Sequence, residues 1–373
     1  MTNKIKLGVD SRMVRHSGIG TYIRHMLDTL VEDPDFDMTL YGPLDKISEY
    51  PCQKIHAPYP IYSLKEQFYF PRALQRITMD CYYFPHYNIP LSFKGNIVVT
   101  IHDLIHLVYP PSKMAYFYAK TMIKATCQKA KQIVVTSNYT KEDLNRRLAI
   151  PKEKITVIHT GAGIDFSAVG GKRGQSLKGQ SPFSSAEIPY LLYVGNVKPS
   201  KNVQTLIEAT LIAKKKIPEI RLLIAGKNSM PELAEKYKGN SEILFLGESS
   251  VAKLHQLYSQ AKLFIFPSLY EGFGLPPLEA MSLGVPVIAS NATSLPEVCG
   301  NAAEFFDPRN KDVLAEKIVA LWNNTSKRED LIQRGYENIK RFSWEKCARE
   351  MANVFREACD IKSLDSGFRR NDA

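Results

Sequence analysis

A short apolar run that stops at a glycine or a small polar turn and then turns helical recurs along this chain. No other feature narrows the fold as much. In the second half the runs are Tyr190–Val194, ending at Gly195; Arg221–Ala225, ending at Gly226 and Lys227; 243–246, ending at Gly247; and 262–267, which enters a turn with two more glycines. A further run at 302–308 closes that half. The first half repeats the rhythm at Ile5–Asp10, 38–41, Cys81–Phe84, Ile97–Ile101, 133–136 and 155–158. Apolar runs of this length without polar alternation suit strands covered on both faces. Strands alternating with helices predict parallel sheets, so the chain reads as two doubly wound α/β halves. No strict sequence repeat relates them.

With 373 residues there is enough chain for two domains, each with its own core. A composition of 44% hydrophobic and 23% charged residues excludes a disordered chain. No apolar run reaches bilayer length, and Lys4 and Lys6 lead directly into a strand with no signal-peptide core, so the expectation is a cytosolic protein. Cys52, Cys81, Cys127, Cys299, Cys347 and Cys359 form no Cys-x-x-Cys pair. That argues against a disulfide framework and a zinc site and for free thiols.

The net charge of +11 points to anionic partners. Nucleic acid is set aside, since no binding motif accompanies the charge. Peripheral contact with an anionic inner membrane leaflet stays open. The stretch 113–131 reads as a helix with five lysines and no acid, with Tyr116, Phe117, Ala119, Ile123 and Cys127 as its inward face. A helix resting on a membrane and a helix packed on the sheet with lysines in water both fit.

The stretch 270–283 carries the most chemistry. It follows the β-prone residues Leu263, Phe264, Ile265 and Phe266, and Pro276 and Pro277 suit the first turn of the helix that comes next. Gly284 ends that helix. The turn between them holds Glu271, Gly272, Phe273, Gly274 and Leu275. Glycines at the C-terminal end of a parallel strand let backbone amides approach an anion, and the helix N-terminus adds positive potential. Glu271 at the mouth of the turn and Glu279 in the helix offer acceptors for neutral hydroxyls. An anion-binding turn beside two carboxylates suits a ligand that is part phosphate and part polyol, such as a nucleotide-sugar.

This stretch resembles the Glu-x7-Glu signature of the retaining family-4 glycosyltransferases, and the resemblance extends from Gly18 to about Ala358. It implies the GT-B fold: two doubly wound Rossmann-like domains with an interdomain cleft and a C-terminal crossover helix. The expected boundaries are 1–165 with about 342–360 for the acceptor-side domain, 166–187 for a flexible Gly/Ser-rich linker, 188–341 for the nucleotide-sugar domain, and 361–373 for a loose tail. His159 to Asp165 resembles the family's Gly-x-Asp before its linker. The segment from Val134 to Leu144 also resembles the family, with Ser137 or Asn138 capping a helix.

By the same resemblance Lys201 contacts the donor diphosphate, Glu271 the transferred sugar and Glu279 the ribose. The amides around Gly272, Phe273, Gly274 and Leu275 meet sugar or phosphate. The arginine that often accompanies the lysine is replaced here by Asn196 and Ser200, leaving Lys198 as the nearby cation. Lys227, with Gly247 and Glu248, borders the base, and Glu297 reads either as a ligand-facing or as a helix-start carboxylate. In the first half Gly18, Gly20 and Tyr22 match a Gly-Ile-Gly-x-Tyr loop near sugar and acceptor. The third glycine of a dinucleotide fingerprint is missing there. His102, at the end of the Ile97–Ile101 run, matches the family histidine directed toward the donor sugar, and His86 is an acceptor-side candidate. Asp103 reads as orienting His102 or capping the next helix.

Catalytic roles therefore fall to His102, Lys201 and Glu271, with no metal site and no cofactor beyond the donor. The resemblance is greatest to bacterial mannosyltransferases of surface-polysaccharide assembly. It implies transfer of a hexose, mannose from GDP-mannose first, to a glycan or lipid-linked glycan with retained anomeric configuration. A UDP-sugar transferase, a nucleotide-sugar epimerase of the same fold and a binding protein without turnover remain as alternatives.

Overall fold

The computed structural model describes residues 4–16, 18–162 and 189–360. The chain divides into two compact units, Met1–Gly161 with Trp344–Ala373, and Ala162–Ser343. The segments read as linker (166–187) and tail (361–373) lie outside the described residues, as does Asp165.

The first unit runs β1 (Ile5–Asp10), α1 (Ile19–Leu30), β2 (Phe36–Gly42), α2 (Leu44–Ile47), β3 (Gln53–His56), α3 (Leu64–Leu74), β4 (Cys81–Phe84), β5 (Ile97–Ile101), α4 (Ile105–Val108), α5 (Lys113–Lys129), β6 (Gln132–Val135), α6 (Asn138–Leu148) and β7 (Ile155–Val157). Its seven strands are parallel in the order β3-β2-β1-β4-β5-β6-β7. β4 and β5 are buried along their whole length, as strands covered on both faces must be. In α1 the buried residues Tyr22, Ile23, Met26, Leu27 and Leu30 recur at helical spacing and face the sheet. Ser137 caps α6, its hydroxyl accepting from Thr140 N at 3.1 Å.

Two elements of this unit carry no legible signal. β3 is an edge strand with three polar residues out of four, so the apolar run that marks a buried strand is missing. α3 contains Pro71, which reads as a breaker, yet the helix starts from Ser63, whose hydroxyl accepts from Glu66 N. The inward face expected for α5 needs correcting. Ala119, Met122, Ile123, Thr126 and Cys127 are buried, whereas Phe117 is exposed and Tyr116 only half-buried. Phe117 lies two residues from Ala119, about 200° round the helix, and points away from the sheet.

The last helix, α14 (Trp344–Ala358), belongs to this unit although the whole second unit precedes it in the chain. Its apolar face packs on α1 and the sheet. Cys347 Sγ lies 3.8 Å from Met26 Sδ, the Phe355 ring meets Tyr83 at 5.1 Å and Phe36 at 6.0 Å, and Trp344 stacks on His25 at 4.3 Å.

The second unit runs β8 (Tyr190–Val194), α7 (Val203–Ala213), β9 (Arg221–Ala225), α8 (Pro231–Lys236), β10 (Ile243–Gly247), α9 (Val251–Ser259), β11 (Leu263–Phe266), α10 (Leu275–Ser282), β12 (Val287–Ser290), α11 (Leu295–Cys299), β13 (Ala303–Phe306), α12 (Lys311–Asn323) and α13 (Thr325–Ile339). Its six parallel strands follow the order β10-β9-β8-β11-β12-β13. Both sheets thus reverse direction once, between β1 and β4 and between β8 and β11. At such a point two successive crossovers leave on opposite sides and a crevice opens above the strand ends.

The turns after β8 and β9 are zipped together in the second unit. Gly195 N donates to Ala225 O, Val197 N to Lys227 O and Ser229 N to Val197 O, all within 3.0 Å. Gly226 makes this possible. Its φ is 135°, and a β-carbon there would come within 2.2 Å of Gly195 O. Gly226→Ala should therefore lower stability by about 2 kcal/mol or more, read as a reduced urea midpoint with unchanged slope. A loss within experimental error would show that the two turns separate freely.

Candidate functional site

The strand reversal in the second unit gathers most of the residues that the sequence singles out there. After β8 the chain makes a single tight turn at Pro199–Lys201, and after β11 it passes through Glu271 and the two glycines into α10. Backbone and side chain tie these turns together. Leu269 N donates to Ser200 O at 2.8 Å, and Asn202 Nδ2 donates to Pro267 O at 3.1 Å and to Pro308 O at 2.7 Å. Asn202 was not singled out in the sequence. It sits in the left-handed region with φ 55°, which asparagine tolerates better than most residues.

Across this seam Lys201 Nζ forms an ion pair with Glu271 Oε1, with both side chains mostly buried. The ammonium also lies 5.7 Å from the Phe266 ring centroid. The cation expected on a diphosphate and the carboxylate expected on a sugar are thus each other's partners. Near them the Ser200 and Ser268 hydroxyls are buried with no hydrogen-bond partner among the described residues.

The turn itself is held by a segment that no motif announced. Thr293 Oγ1 accepts from Glu271 N at 3.0 Å, and Ser294 Oγ donates to Phe273 O at 2.8 Å and to Glu271 O at 3.1 Å. Phe273 points inward, its ring edge-on to Phe342 at 5.5 Å, so the turn presents backbone here and not a side chain. Gly274 has φ 109°, and a β-carbon on it would meet Leu295 Cδ2 at 2.6 Å. Leu275 then begins α10 with prolines in its first turn and no side-chain cap. Its first turn carries no acidic residue to answer the helix dipole.

One turn further, Glu279 accepts a 2.8 Å hydrogen bond from the Tyr258 hydroxyl. Burial pushes its carboxyl up to about 7, against the lowering effect of that bond. Asn196 and Lys227 are exposed at the ends of β8 and β9, on the two sides of the zipped turns. Glu297 lies in the first turn of α11, where a carboxylate favours the helix dipole.

In the first unit, the strand ends hold a charged cluster that sequence reading missed. Asp10 accepts from Arg12 Nε at 2.8 Å and Nη2 at 2.7 Å, and Arg12 Nη2 also reaches Glu66 Oε1 at 2.7 Å. His86 Nε2 lies 2.9 Å from Asp10 Oδ2, and Asn88 Nδ2 donates to Glu66 Oε2. All five residues are buried. Burial opposes Asp10's charge, but Arg12 and His86 overcome it and hold that carboxyl well below its usual range. For Glu66 burial wins and the carboxyl is raised despite Arg12.

The two acceptor-side candidates of the first unit are both covered. His86 is a member of this closed cluster and is 3% exposed. Tyr22 is equally buried, taking a 3.1 Å hydrogen bond from the Tyr83 hydroxyl. Both satisfy internal partners, so neither offers an accessible surface.

His102 is only partly covered. It lies 2.9 Å from Pro85 O through Nε2 and meets the edge of Tyr22 at 4.8 Å. Burial depresses its pKa to about 4, so the ring is neutral at physiological pH. Asp103 caps the start of α4, accepting from Ile105 N at 2.9 Å. Gly18 stands before α1 with φ 70°, and Gly20 lets the first turn of α1 approach Val14 O, where a β-carbon would sit at 2.7 Å. Among the described residues no group of three or more His, Cys, Asp or Glu side chains could hold a metal ion, and no helix is long and apolar enough to cross a membrane.

Two measurements follow from these charges. Arg12→Met leaves two carboxylates buried without their cation, and should cost about 3–5 kcal/mol in urea unfolding. A loss under about 1 kcal/mol would mean that water reaches the cluster. Glu279 binds its proton more tightly when folded than when unfolded. The stability it contributes is full below about 4.5 and is lost as pH rises toward about 7. Glu279→Gln should therefore melt with a shallower decline than the wild type across about pH 5 to 8, and parallel curves would contradict the buried setting of this carboxyl.

The Glycosyl transferases group 1 family matches residues 179–338, and Glycosyltransferase Family 4 matches residues 16–166. The chain is 30% identical over 292 residues to O-antigen chain mannosyltransferase B of Escherichia coli, covering 76% of each sequence. It is 31% identical over 279 residues to the serotype-specific mannosyltransferase WbdA of the same species, covering 70% of this chain but only 33% of that longer one. Among solved structures, sucrose-phosphate synthase from Thermosynechococcus elongatus superposes with a TM-score of 0.74 at 21% identity, covering 95% of this chain and 99% of that one.

Proposed function

Because the chain belongs to the group 1 glycosyltransferases and has their GT-B fold of two Rossmann-like domains, we propose that it moves mannose from GDP-mannose to a glycan or lipid-linked glycan of surface-polysaccharide assembly, with retained anomeric configuration. The choice of sugar rests on the relatives named as mannosyltransferases. The observation that carries the reaction is the Lys201–Glu271 pair at the strand reversal, beside the uncapped start of α10.

The pair gives donor binding a simple charge logic. A diphosphate entering the turn takes over the Lys201 ammonium, and the sugar hydroxyls take over the Glu271 carboxylate. Each buried charge exchanges one partner for another and none is stranded. The α10 N-terminus and the backbone of the 272–275 turn add potential on the phosphate side. As the anomeric carbon–oxygen bond breaks, negative charge grows on the leaving phosphate, where Lys201 is assigned to stabilise it.

The acceptor hydroxyl attacks from the face the phosphate leaves, and its proton passes to a phosphate oxygen. One carbon–oxygen bond is broken and one formed, with no protein nucleophile and no metal required. Glu279 is assigned to the ribose hydroxyls, which favour its ionised form. Lys227 and Asn196 are assigned to the base side. In the first unit His102, neutral and only partly covered, is assigned a hydrogen bond to a sugar hydroxyl. The reading places the protein on the cytoplasmic side, where nucleotide-sugars are made.

Thermal shift with GDP-, UDP- and ADP-sugars tests the donor. GDP-mannose should raise the melting temperature most, and no shift with any of them would remove the reading. Lys201→Ala should lower transfer about 100-fold or more while leaving the protein folded, and unchanged transfer would exclude the assigned site. Free or epimerised sugar in a donor-only incubation would favour an isomerase instead.

A further inference from the structure

We propose that the side of the first unit formed by α3 and α5 is a docking surface for an anionic lipid bilayer. The surface goes beyond the transfer reaction and does not depend on which donor is used.

The bulky apolar groups that this protein leaves in water are concentrated on these two helices. Met114 is 83% exposed, Leu64 76%, Phe68 65% and Phe117 64%, with Tyr69 half exposed beside them. Single exposed apolar residues are ordinary, but a group of this size on neighbouring elements is not. On α3, Leu64 and Phe68 are four residues apart and share a face with Arg72, with Lys65 and Tyr69 on the adjoining row. On α5, Met114 and Phe117 share the outward side with Lys113, Lys120 and Lys124.

The helices are fastened to the same stretch of chain, so their outward faces belong to one region. Gln67 donates to Ile89 O at 3.2 Å and accepts from Leu91 N at 3.0 Å, while Lys129 donates to Leu91 O and to Phe93 O. The Tyr118 hydroxyl donates to Asn88 Oδ1 at 2.6 Å, and the Tyr62 and Tyr118 rings meet at 6.2 Å.

The charge pattern identifies the occupant. Lys65, Arg72, Arg76, Lys113, Lys120 and Lys124 are all exposed, and none is in an ion pair with any described residue. α5 carries no acid at all, and the one carboxylate on α3, Glu66, is turned inward onto Arg12. Elsewhere lysines and arginines are commonly matched, as in Lys311 with Glu208 and Lys317 with Glu304. Cations left unmatched around protruding Leu, Met and Phe suit an interface that offers phosphate headgroups beside acyl chains. Long lysine side chains can keep their ammonium at headgroup level while the rings sit deeper. A nucleic acid would satisfy the cations but would leave Leu64 and Met114 in water.

Cosedimentation of the full chain with vesicles tests this. Phosphatidylcholine vesicles containing phosphatidylglycerol should bind at least about ten-fold more tightly than phosphatidylcholine alone, with the difference shrinking at high salt. Phe68→Ser with Phe117→Ser should weaken binding to the anionic vesicles at both salt levels. Lys113→Glu with Lys120→Glu and Lys124→Glu should abolish the preference for anionic vesicles. Both variants should keep the wild-type melting temperature and the same thermal shift with nucleotide-sugar, which separates this surface from the donor site. Equal binding to both vesicle types, binding unchanged in both variants, or retention of RNA without vesicle binding would each overturn the proposal.

Discussion

A parallel strand cannot be reached from its neighbour by a tight turn. The chain must cross over the sheet, and apart from the irregular connection between β4 and β5 each crossover here runs through a helix that covers one face. Everything functional in this protein depends on that constraint. It puts all strand C-termini of a sheet on one edge, and a single reversal of strand order then parts the crossovers above that edge. In the second unit the reversal falls between β8 and β11. Lys201 and Glu271, 70 positions apart in the chain, meet there because their turns follow adjacent strands. The first unit has the same reversal between β1 and β4, and the buried side chains of Asp10 and His86 meet at those strand ends.

The two edges use charge differently. The first unit's cluster is closed: Arg12 serves two carboxylates, His86 and Asn88 take the remaining acceptors, and all five residues are covered. Such a network fixes the strand ends and the start of α3, its members answering one another away from water. At the second edge Lys201 and Glu271 have one principal partner each, and the backbone beside them ends in an uncapped helix. Glu279 is poised differently again, a carboxyl that burial brings close to neutrality at physiological pH. Such a group gains most when a ligand brings hydroxyl donors to it. Buried charge thus ties the scaffold together in one unit, and in the other the Lys201–Glu271 pair joins two turns at the candidate site.

The surplus of positive charge is likewise not spread evenly. On the second unit many cations stand beside acids, whereas on α3 and α5 they stand alone next to large apolar side chains. The net charge of +11 is therefore informative chiefly through its location.

Most strands were legible because burial on both faces writes a continuous apolar run, and the glycines after β8, β9, β10 and β11 marked where each one stopped. The turn holding Glu271 and the helix holding Glu279 could be read from their glycines and prolines. β3 and α3 could not, since a polar edge strand and a helix containing Pro71 lack those signals. Nor could periodicity place Phe117, because a helix rich in both aromatic residues and lysine has more than one plausible inward face until a sheet selects it. The sequence by itself determined the order of elements and the chemical types available at the strand ends. Only the tertiary structure decided that Lys201 faces Glu271, that Thr293 and Ser294 hold the turn, that His86 and Tyr22 are closed off, and that α14 completes the first core. Those are contacts between residues distant in the chain, and distance in space is fixed by the packing of the sheets, which no local pattern encodes.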